Sequence, residues 1–254
     1  MTLLSVNLNK VALLRNARPH HVPDVLEAAR AVIGAGAHGI TVHPRPDQRH
    51  IRPDDVRGLG VLLRRSRVEL NLEGNPFEEA RGGYPGYLEL VRQARPVQAT
   101  LVPDASDQAT SDHGFDPERD VERLRPIVEE LHRLGCRVSL FADPDPSGVA
   151  KLRATAADRI EIFTGPYADA HRDGHPEAAL AACVATAQQA RAAGLGVNAG
   201  HDLDLGNLPP LVRAIPDLDE VSIGHALTAD ALWWGWTETV DRYLAALRPA
   251  PESG

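Results

Sequence analysis

The sequence predicts an α/β protein with a single (β/α)8 TIM barrel. Apolar, strand-like segments alternate with amphipathic stretches along the chain, at a mean spacing of roughly 30 residues that suits one strand–helix unit. The chain has 254 residues, and one such barrel commonly takes about 250. We expect the barrel to occupy residues 1–248 and the polar, Pro-rich residues 249–254 to form a flexible tail. The predicted strands lie near residues 3–8, 39–43, 68–73, 97–102, 136–141, 159–163, 195–199 and 219–223.

Sequence signals for helix ends lie between these strands. Acidic residues and proline open predicted helical turns at Pro53 and Asp116, as suits a helix N-terminus. Glycines before the next strands mark helix C-termini, and these are Gly34, Gly36, Gly135 and Gly194. Two long connections, residues 74–87 and 103–115, follow predicted strands and are candidate lids or substrate-binding segments.

Composition excludes several classes of protein. A formal net charge of −8 argues against non-specific binding to nucleic acid or to an anionic membrane surface. No stretch approaches the roughly 18 apolar residues of a membrane span, and the N-terminus lacks a signal-peptide pattern, so we expect a cytoplasmic protein. Cys136 and Cys183 are expected to be buried and unpaired.

Residues able to move a proton stand at or beside the ends of predicted strands. In a parallel barrel the carboxyl ends of all strands meet at one face, where the reacting groups gather. The pattern therefore indicates an enzyme, with candidate residues His43, Glu73, Glu161, His201 and His225.

Alternation along the strands indicates where two of the carboxylates point. Glu69, Asn71 and Glu73 share one face of their strand, and Glu73 is the outermost. Glu161 stands between two isoleucines, so it is expected to face the barrel lumen. A buried carboxylate there should contact a cation or a substrate.

Two groups of residues are suited to binding anions. Arg45, Arg49 and His50 follow the second strand in one short loop and could clamp a phosphate. Gly-His pairs end at His201 and His225, where the seventh and eighth strands of many barrels bind phosphate. The sequence contains no H-E-x-x-H motif and no clustered cysteines, so no catalytic metal is expected.

Taken together and in order, several segments make the chain resemble the pyridoxine 5'-phosphate synthase family from its start nearly to its end. They are residues 6–18, 39–51, 71–73, 101–103, 138–141, 160–168, 197–201 and 223–226.

The resemblance implies a barrel with extra helices that condenses 3-amino-2-oxopropyl phosphate with 1-deoxy-D-xylulose 5-phosphate, without metal or organic cofactor. It also implies a homo-oligomer, usually an octamer built from dimers. His43 and Glu73 match the family's proton acceptors, His201 its proton donor, and Glu161 a carboxylate that supports the transition state. The positions implied for the amino-ketone phosphate are Asn7, Arg18, Gly224 and His225, and those for the deoxyxylulose phosphate are Arg45, His50 and Thr110. The resemblance also implies sugar-phosphate contacts at Asn9 and Lys10 and a backbone donor to substrate at Asp202.

Four positions depart from the pattern of the resembled family. Asn9-Lys10 stands where Asp-His is common, Phe163 replaces a common His, and Asp202 follows His201 in place of the usual Gly. These changes affect substrate contacts and leave the three proton-transfer positions in place.

Two other functions fit the same residues. Lys10, expected at the end of the first strand, could form a Schiff base with a ketone phosphate, as in an aldolase. The Asn9-Lys10 change also fits a barrel that binds a sugar phosphate without turning it over.

Overall fold

The computed structural model describes residues 1–19, 21–105, 108 and 110–248. Its strands form one closed barrel in which each strand pairs in parallel with the next and β8 pairs with β1. The predicted fold class is confirmed, and each predicted strand agrees with an observed one to within a residue or two. The strands are β1 (Leu3–Asn7), β2 (Gly39–Val42), β3 (Glu69–Gly74), β4 (Gln98–Leu101), β5 (Arg137–Ala142), β6 (Arg159–Phe163), β7 (Gly196–Gly200) and β8 (Glu220–Ile223).

The described part of the chain contains ten α-helices, two more than one per strand. The additional helices are α1, which precedes α2 after β1, and α7, which precedes α8 after β6. The helices are α1 (Asn9–Asn16), α2 (Val25–Gly34), α3 (Pro53–Leu63), α4 (Tyr87–Ala94), α5 (Val121–Arg133), α6 (Pro146–Leu152), α7 (Gly165–Arg172), α8 (Glu177–Ala192), α9 (Leu208–Ala214) and α10 (His225–Ala246).

Alternation along each strand separates an apolar outer layer from a polar lumen. On β6, Ile160 and Ile162 are fully buried and belong to the apolar core, whereas Glu161 lines the cavity at the barrel mouth. The apolar core between strands and helices stabilises the fold, because burying one such side chain contributes about 1.5–3 kcal/mol.

Hydrogen bonds join the strands across the lumen. Asn71 donates to Thr41 Oγ1 at 3.2 Å and accepts from Thr100 Oγ1 at 3.0 Å. Nearer the amino ends of the strands, Arg137 donates to Gln98 and pairs with Glu69. The lumen is therefore held by directional polar contacts, as buried polar groups require.

The helix ends agree with the sequence signals at most positions. Asp24 caps α2 by accepting from the backbone N–H groups of Leu26 and Glu27, and Pro53 is the first residue of α3. Gly36, Gly135 and Gly194 follow helices with positive φ, the conformation for which Gly carries no Cβ penalty. Gly34 differs, since it is still the last residue of α2.

The predicted turn at Asp116 is separate from the helix that follows it. Asp120 donates its backbone N–H to the Asp116 carbonyl, while the Asp120 side chain accepts from the Asp116 N–H. These reciprocal contacts form a separate turn over residues 116–120, and α5 begins only at Val121.

Both cysteines are buried and free of disulfide bonds, as predicted. No helix in the described part of the chain is long and apolar enough to span a bilayer. The predicted tail, residues 249–254, lies outside the described residues.

Candidate active site

A cavity of about 300 Å³ opens at the carboxyl ends of the barrel strands. It brings together thirteen of the fourteen predicted site residues, drawn from distant parts of the chain. These are Asn7, Asn9, Lys10, His43, Arg45, His50, Glu73, Thr110, Glu161, His201, Asp202, Gly224 and His225.

Arg18 is the predicted residue that lies outside the cavity lining. It is exposed, just beyond the C-terminus of α1. Its assignment to a substrate phosphate stays a prediction.

His43 follows β2 and is buried beside Glu73. Its Nδ1 lies 4.0 Å from Glu73 Oε1, and its backbone N–H donates to Asn9 Oδ1 at 2.9 Å. Burial, together with the positive charges of Arg45 and Arg49 and the neighbouring His50 ring, lowers the pKa of His43 well below its usual value. The imidazole is therefore neutral near pH 7 and able to accept a proton.

Glu73 lies near the end of β3 and faces the same space. Burial and the negative charge of Asp104 raise the pKa of Glu73 to about 7, against the opposing charges of His201 and Arg45. Asn7 Nδ2 donates to its Oε2 at 3.4 Å. A carboxyl group with a pKa near neutrality can both take up and release a proton at physiological pH.

Glu161 is buried in the middle of β6. Within the described residues no group hydrogen-bonds or ion-pairs with it, so of the two expected partners, a cation or a substrate, the substrate stays the prediction. Burial and the charges of Glu73 and Glu220 raise the pKa of Glu161 well above its usual value. A Cβ on Gly200 would lie 2.2 Å from Glu161 Oε1, which explains why the strand beside it carries Gly there.

Both ring nitrogens of His201 have a hydrogen-bond partner. Its Nδ1 lies 2.9 Å from Asp202 Oδ2, and its Nε2 lies 2.9 Å from Thr110 Oγ1. Burial lowers the pKa of His201, but the hydrogen bond and charge of Asp202, helped by Glu73 and Asp104, outweigh burial and raise it. The ring packs edge-on against Phe163, with centroids 5.2 Å apart.

Basic side chains line another part of the cavity. Burial and the charges of Arg45 and Arg49 lower the pKa of His50 to about 3, with a smaller effect from Lys10. His50 is therefore neutral, and the positive charge at this wall comes from Arg45, Arg49 and Lys10. Arginine suits this task because its forked donors match phosphate oxygens.

Lys10 lies in the first turn of α1, three residues beyond the end of β1, and it is exposed. The sequence placed Lys10 at the end of the first strand, and the structure adds that the chain has already turned into a helix at Asn9. Schiff-base lysines are usually activated by desolvation or a neighbouring cation in a closed pocket, and an exposed Lys10 lacks the first of these conditions.

The ends of β7 and β8 form a third part of the wall. Gly224 precedes α10, whose first residue is His225, so the unpaired N–H groups of this helix start lie at the cavity. A Cβ on Gly224 would approach Asn7 Cβ to 3.0 Å, so Gly lets the two strand ends lie close together.

The ion pair between Arg45 and Asp104 was not predicted from the sequence. Both side chains are buried, at 4% and 2% exposure, and Asp104 also accepts from Ser111 Oγ at 2.7 Å. Arg45 further donates to the Gln108 carbonyl at 3.1 Å. The pair ties the cavity wall to the segment after β4 that carries Thr110.

Alternation could have identified two further lining residues, Phe141 on β5 and Ser222 on β8, because each is two positions from another lumen-facing residue on its strand. No signal in the sequence indicated Asp104 or Ser111. The described residues contain no group of three or more His, Cys, Asp or Glu side chains arranged to hold a metal ion.

Solved structures with low sequence identity share the fold. The tryptophan synthase alpha-subunit of Pyrococcus furiosus, in a mutant form, has a TM-score of 0.63 at 12% identity, with 97% of each chain covered. Phosphoribosyl anthranilate isomerase from Thermotoga maritima has a TM-score of 0.58 at 12% identity, covering 97% of this chain and 98% of that one.

Sequence comparisons are more specific. Pyridoxine 5'-phosphate synthase of Xanthomonas campestris pv. campestris strain B100 is 56% identical over 246 residues, covering 97% of this chain and 96% of that protein. The protein of the same name from Xylella fastidiosa strain M12 is also 56% identical, over 97% of this chain and 95% of that protein. A profile of the family described as pyridoxal phosphate biosynthesis protein PdxJ matches residues 4–249. With eight parallel strands, a shared cavity for the predicted proton carriers and a match along nearly its whole length, the chain belongs to the PdxJ family of pyridoxal phosphate biosynthesis enzymes.

Proposed function

We propose that the protein is a pyridoxine 5'-phosphate synthase. In this proposal it condenses 3-amino-2-oxopropyl phosphate with 1-deoxy-D-xylulose 5-phosphate and closes the pyridine ring of vitamin B6, with release of phosphate and water. The observation that carries the proposal is that His43, Glu73 and His201 line one cavity whose walls also carry two groups of anion-binding residues.

The reaction needs proton transfers in both directions. The amine of one substrate attacks the ketone of the other to give an imine, and enolisation, loss of phosphate, hydration and ring closure follow. His43, which is neutral, and Glu73, whose pKa is about 7, are suited to accept protons. His201, whose pKa is raised, is suited to donate one.

Glu161 completes the set of ionisable groups near the reacting atoms. It has no partner among the described side chains. Its raised pKa favours the neutral form, and positive charge that develops on the substrate imine would lower that pKa and be stabilised by the carboxylate. This arrangement supports a role for Glu161 in stabilising a cationic transition state.

The two substrate phosphate groups bind at two different sets of residues in the cavity. The deoxyxylulose phosphate binds beside Asn9, Lys10, Arg45, His50 and Thr110, where the cationic side chains lie. The amino-ketone phosphate binds beside Asn7, Gly224 and His225, at the start of α10, and the backbone N–H of residue 202 contributes. Arg18 belongs to this second group by resemblance. No metal or organic cofactor takes part in the proposed chemistry.

We further propose a cytoplasmic homo-oligomer, an octamer built from dimers. An apolar patch on α1 and α10, formed by Leu14, Leu232 and Trp233, supports association because its side chains are 55%, 71% and 82% exposed. Leu14 and Leu232 line one groove together with Val11 and Trp236. Exposed apolar patches of this kind mark protein interfaces.

The decisive experiment mixes the purified protein with both phosphorylated substrates and follows the absorbance and mass of the pyridine product. Glu73→Gln and His201→Phe should each abolish product formation while circular dichroism shows an intact fold. Near-wild-type turnover in either variant would disprove the assigned roles.

Two further experiments separate the rival functions. Borohydride trapping with a ketone phosphate would give a covalent adduct on Lys10 if the protein were an aldolase. Tight calorimetric binding of a sugar phosphate, without product from the paired substrates, would instead identify a non-catalytic barrel.

A further inference from the structure

Asp202 lies in the cavity wall beside His201, and the backbone of these two residues has an unusual conformation. His201 has φ +90° and Asp202 has φ +56°, so two consecutive non-glycine residues lie in the left-handed region. Such residues are uncommon, and they persist only where the surroundings hold them. Asp tolerates this region better than most residues because its short side chain can form local hydrogen bonds.

Hydrogen bonds from two neighbouring elements hold this dipeptide. Thr164 Oγ1 donates to the carbonyl of Gly200 at 2.7 Å and to that of His201 at 2.6 Å. Asn207 Nδ2 donates to the carbonyl of Asp202 at 3.0 Å. The backbone is therefore fixed where the Asp202 carboxylate meets one edge of the imidazole and the other edge faces Thr110.

We propose that Asp202 is a positioning residue for His201: it accepts a hydrogen bond from Nδ1–H, keeps the imidazole charged and directs Nε2–H toward the substrate. An ionised carboxylate can only accept, so the 2.9 Å contact places a proton on Nδ1. The second proton of the imidazolium then lies on Nε2, at the cavity side. This inference rests on the proposed role of His201 as proton donor.

The charges around the pair favour this protonation state. The hydrogen bond from His201 lowers the pKa of Asp202 despite its partial burial, and the positive charges of His225 and Arg172 add to the effect. His201 in turn faces the negative charges of Glu73 and Asp104 from two other parts of the barrel. The rings of Phe141 and Phe163 pack on the remaining sides and offer no competing polar partner.

Charge disfavours a direct contact between the Asp202 carboxylate and a substrate phosphate. Two anions in contact repel each other, and this carboxylate already has a cationic partner. The side chain of residue 202 therefore acts through His201, while its backbone N–H stays free to act on an anion.

The test is an NMR titration of His201 in the full-length protein, together with the pH dependence of turnover. The chain has 11 histidines, so the His201 signal is assigned as the one that His201→Asn removes. Asp202→Asn keeps the shape and the hydrogen-bond acceptor but removes the charge, and Asp202→Gly removes both. Asp173→Asn, an exposed change at the end of the neighbouring α7, controls for the loss of one negative charge.

We expect the titration midpoint of His201 to fall by about one pH unit in Asp202→Asn, and at least as far in Asp202→Gly. The high-pH limit of turnover should fall by the same amount, since an acid must be protonated to act, with little change in KM. Asp173→Asn should titrate like the wild type.

An unchanged His201 midpoint in Asp202→Asn, or a loss confined to KM, would overturn the inference. The titration does not depend on turnover. If the wild type makes no pyridine product but the midpoint still shifts, the proposed function fails while the coupling between Asp202 and His201 stands.

Discussion

His43 Nδ1 and Glu73 Oε1 lie 4.0 Å apart across the mouth of the barrel, with both side chains largely buried. Their pKa values move in opposite directions: burial lowers that of the imidazole and raises that of the carboxyl. Near pH 7 His43 is uncharged and so available as a proton acceptor, while Glu73 divides between its two forms. The pair thus offers two proton acceptors with different working ranges in one small space.

The first prediction concerns the low-pH limit of turnover. Because Glu73 must be ionised to act as a base and its pKa is about 7, turnover should fall as the pH drops below about 7. Rates measured from about pH 4 to about pH 9 with both substrates would show this limit. A limit near the ordinary carboxyl value of 4.5 would mean that Glu73 is not the base that controls the rate.

The second prediction concerns stability. A pKa raised from 4.5 to about 7 means that the folded protein holds this proton more tightly than the unfolded chain. The stabilisation linked to Glu73 is complete below about pH 4.5 and is lost as the pH rises to about 7. Glu73→Gln should therefore be more stable than the wild type at pH 8, by up to ~3 kcal/mol, since one pKa unit corresponds to ~1.4 kcal/mol.

Urea unfolding of the two proteins at pH 8 and pH 5 tests this expectation. The difference between them should shrink at the lower pH. Equal stabilities at pH 8 would show that burying the ionised Glu73 carboxylate does not lower the free energy of unfolding.

The third prediction concerns the buried ion pair of Arg45 and Asp104. Arg45→Met should lower the free energy of unfolding by about 3–5 kcal/mol, because it leaves a buried carboxylate without its partner. Asp104 Oδ1 already lacks a hydrogen-bond partner among the described residues. The double variant Arg45→Met/Asp104→Leu should recover most of the loss.

Denaturant unfolding of the single and double variants gives the coupling energy directly. Arg30→Met, which breaks an exposed pair with Glu27, is the matched control and should change stability by less than about 1 kcal/mol. A double variant as unstable as Arg45→Met would contradict the argument.

The fourth prediction concerns assembly. Trp233→Glu places a charge in the apolar patch of α1 and α10 and should convert the oligomer into smaller species, as measured by light scattering after gel filtration. Val61→Glu, on α3, is the control, since Val61 is 69% exposed outside this patch. Identical masses for wild type and Trp233→Glu would place the subunit contact elsewhere.

Much of the fold and the site could be predicted from residue order alone. Strand alternation is local, so it correctly placed Glu69, Asn71 and Glu73 on one face and directed Glu161 into the lumen. Strand ends gather at one face in any parallel barrel, which is why His43 and His201 could be placed together.

The rest depends on contacts between distant segments. Asp104 meets Arg45 only because the segment after β4 folds across the cavity wall, and no spacing in the sequence encodes that path. Lys10 was expected at the end of the first strand, and the strand pattern does not reveal that the chain enters α1 at Asn9. The side-chain partner of Asp202 likewise follows from two left-handed residues that periodicity does not reveal.

The division between a polar lumen and an apolar outer layer determines which substitutions the fold can accept. A substitution at an inward position such as Thr100, which donates to Asn71, alters the hydrogen bonding beneath the cavity without touching the packing of Val138 and Leu140 against the helices. New chemistry can therefore be introduced from inside the barrel while the layer that keeps the chain folded stays as it is.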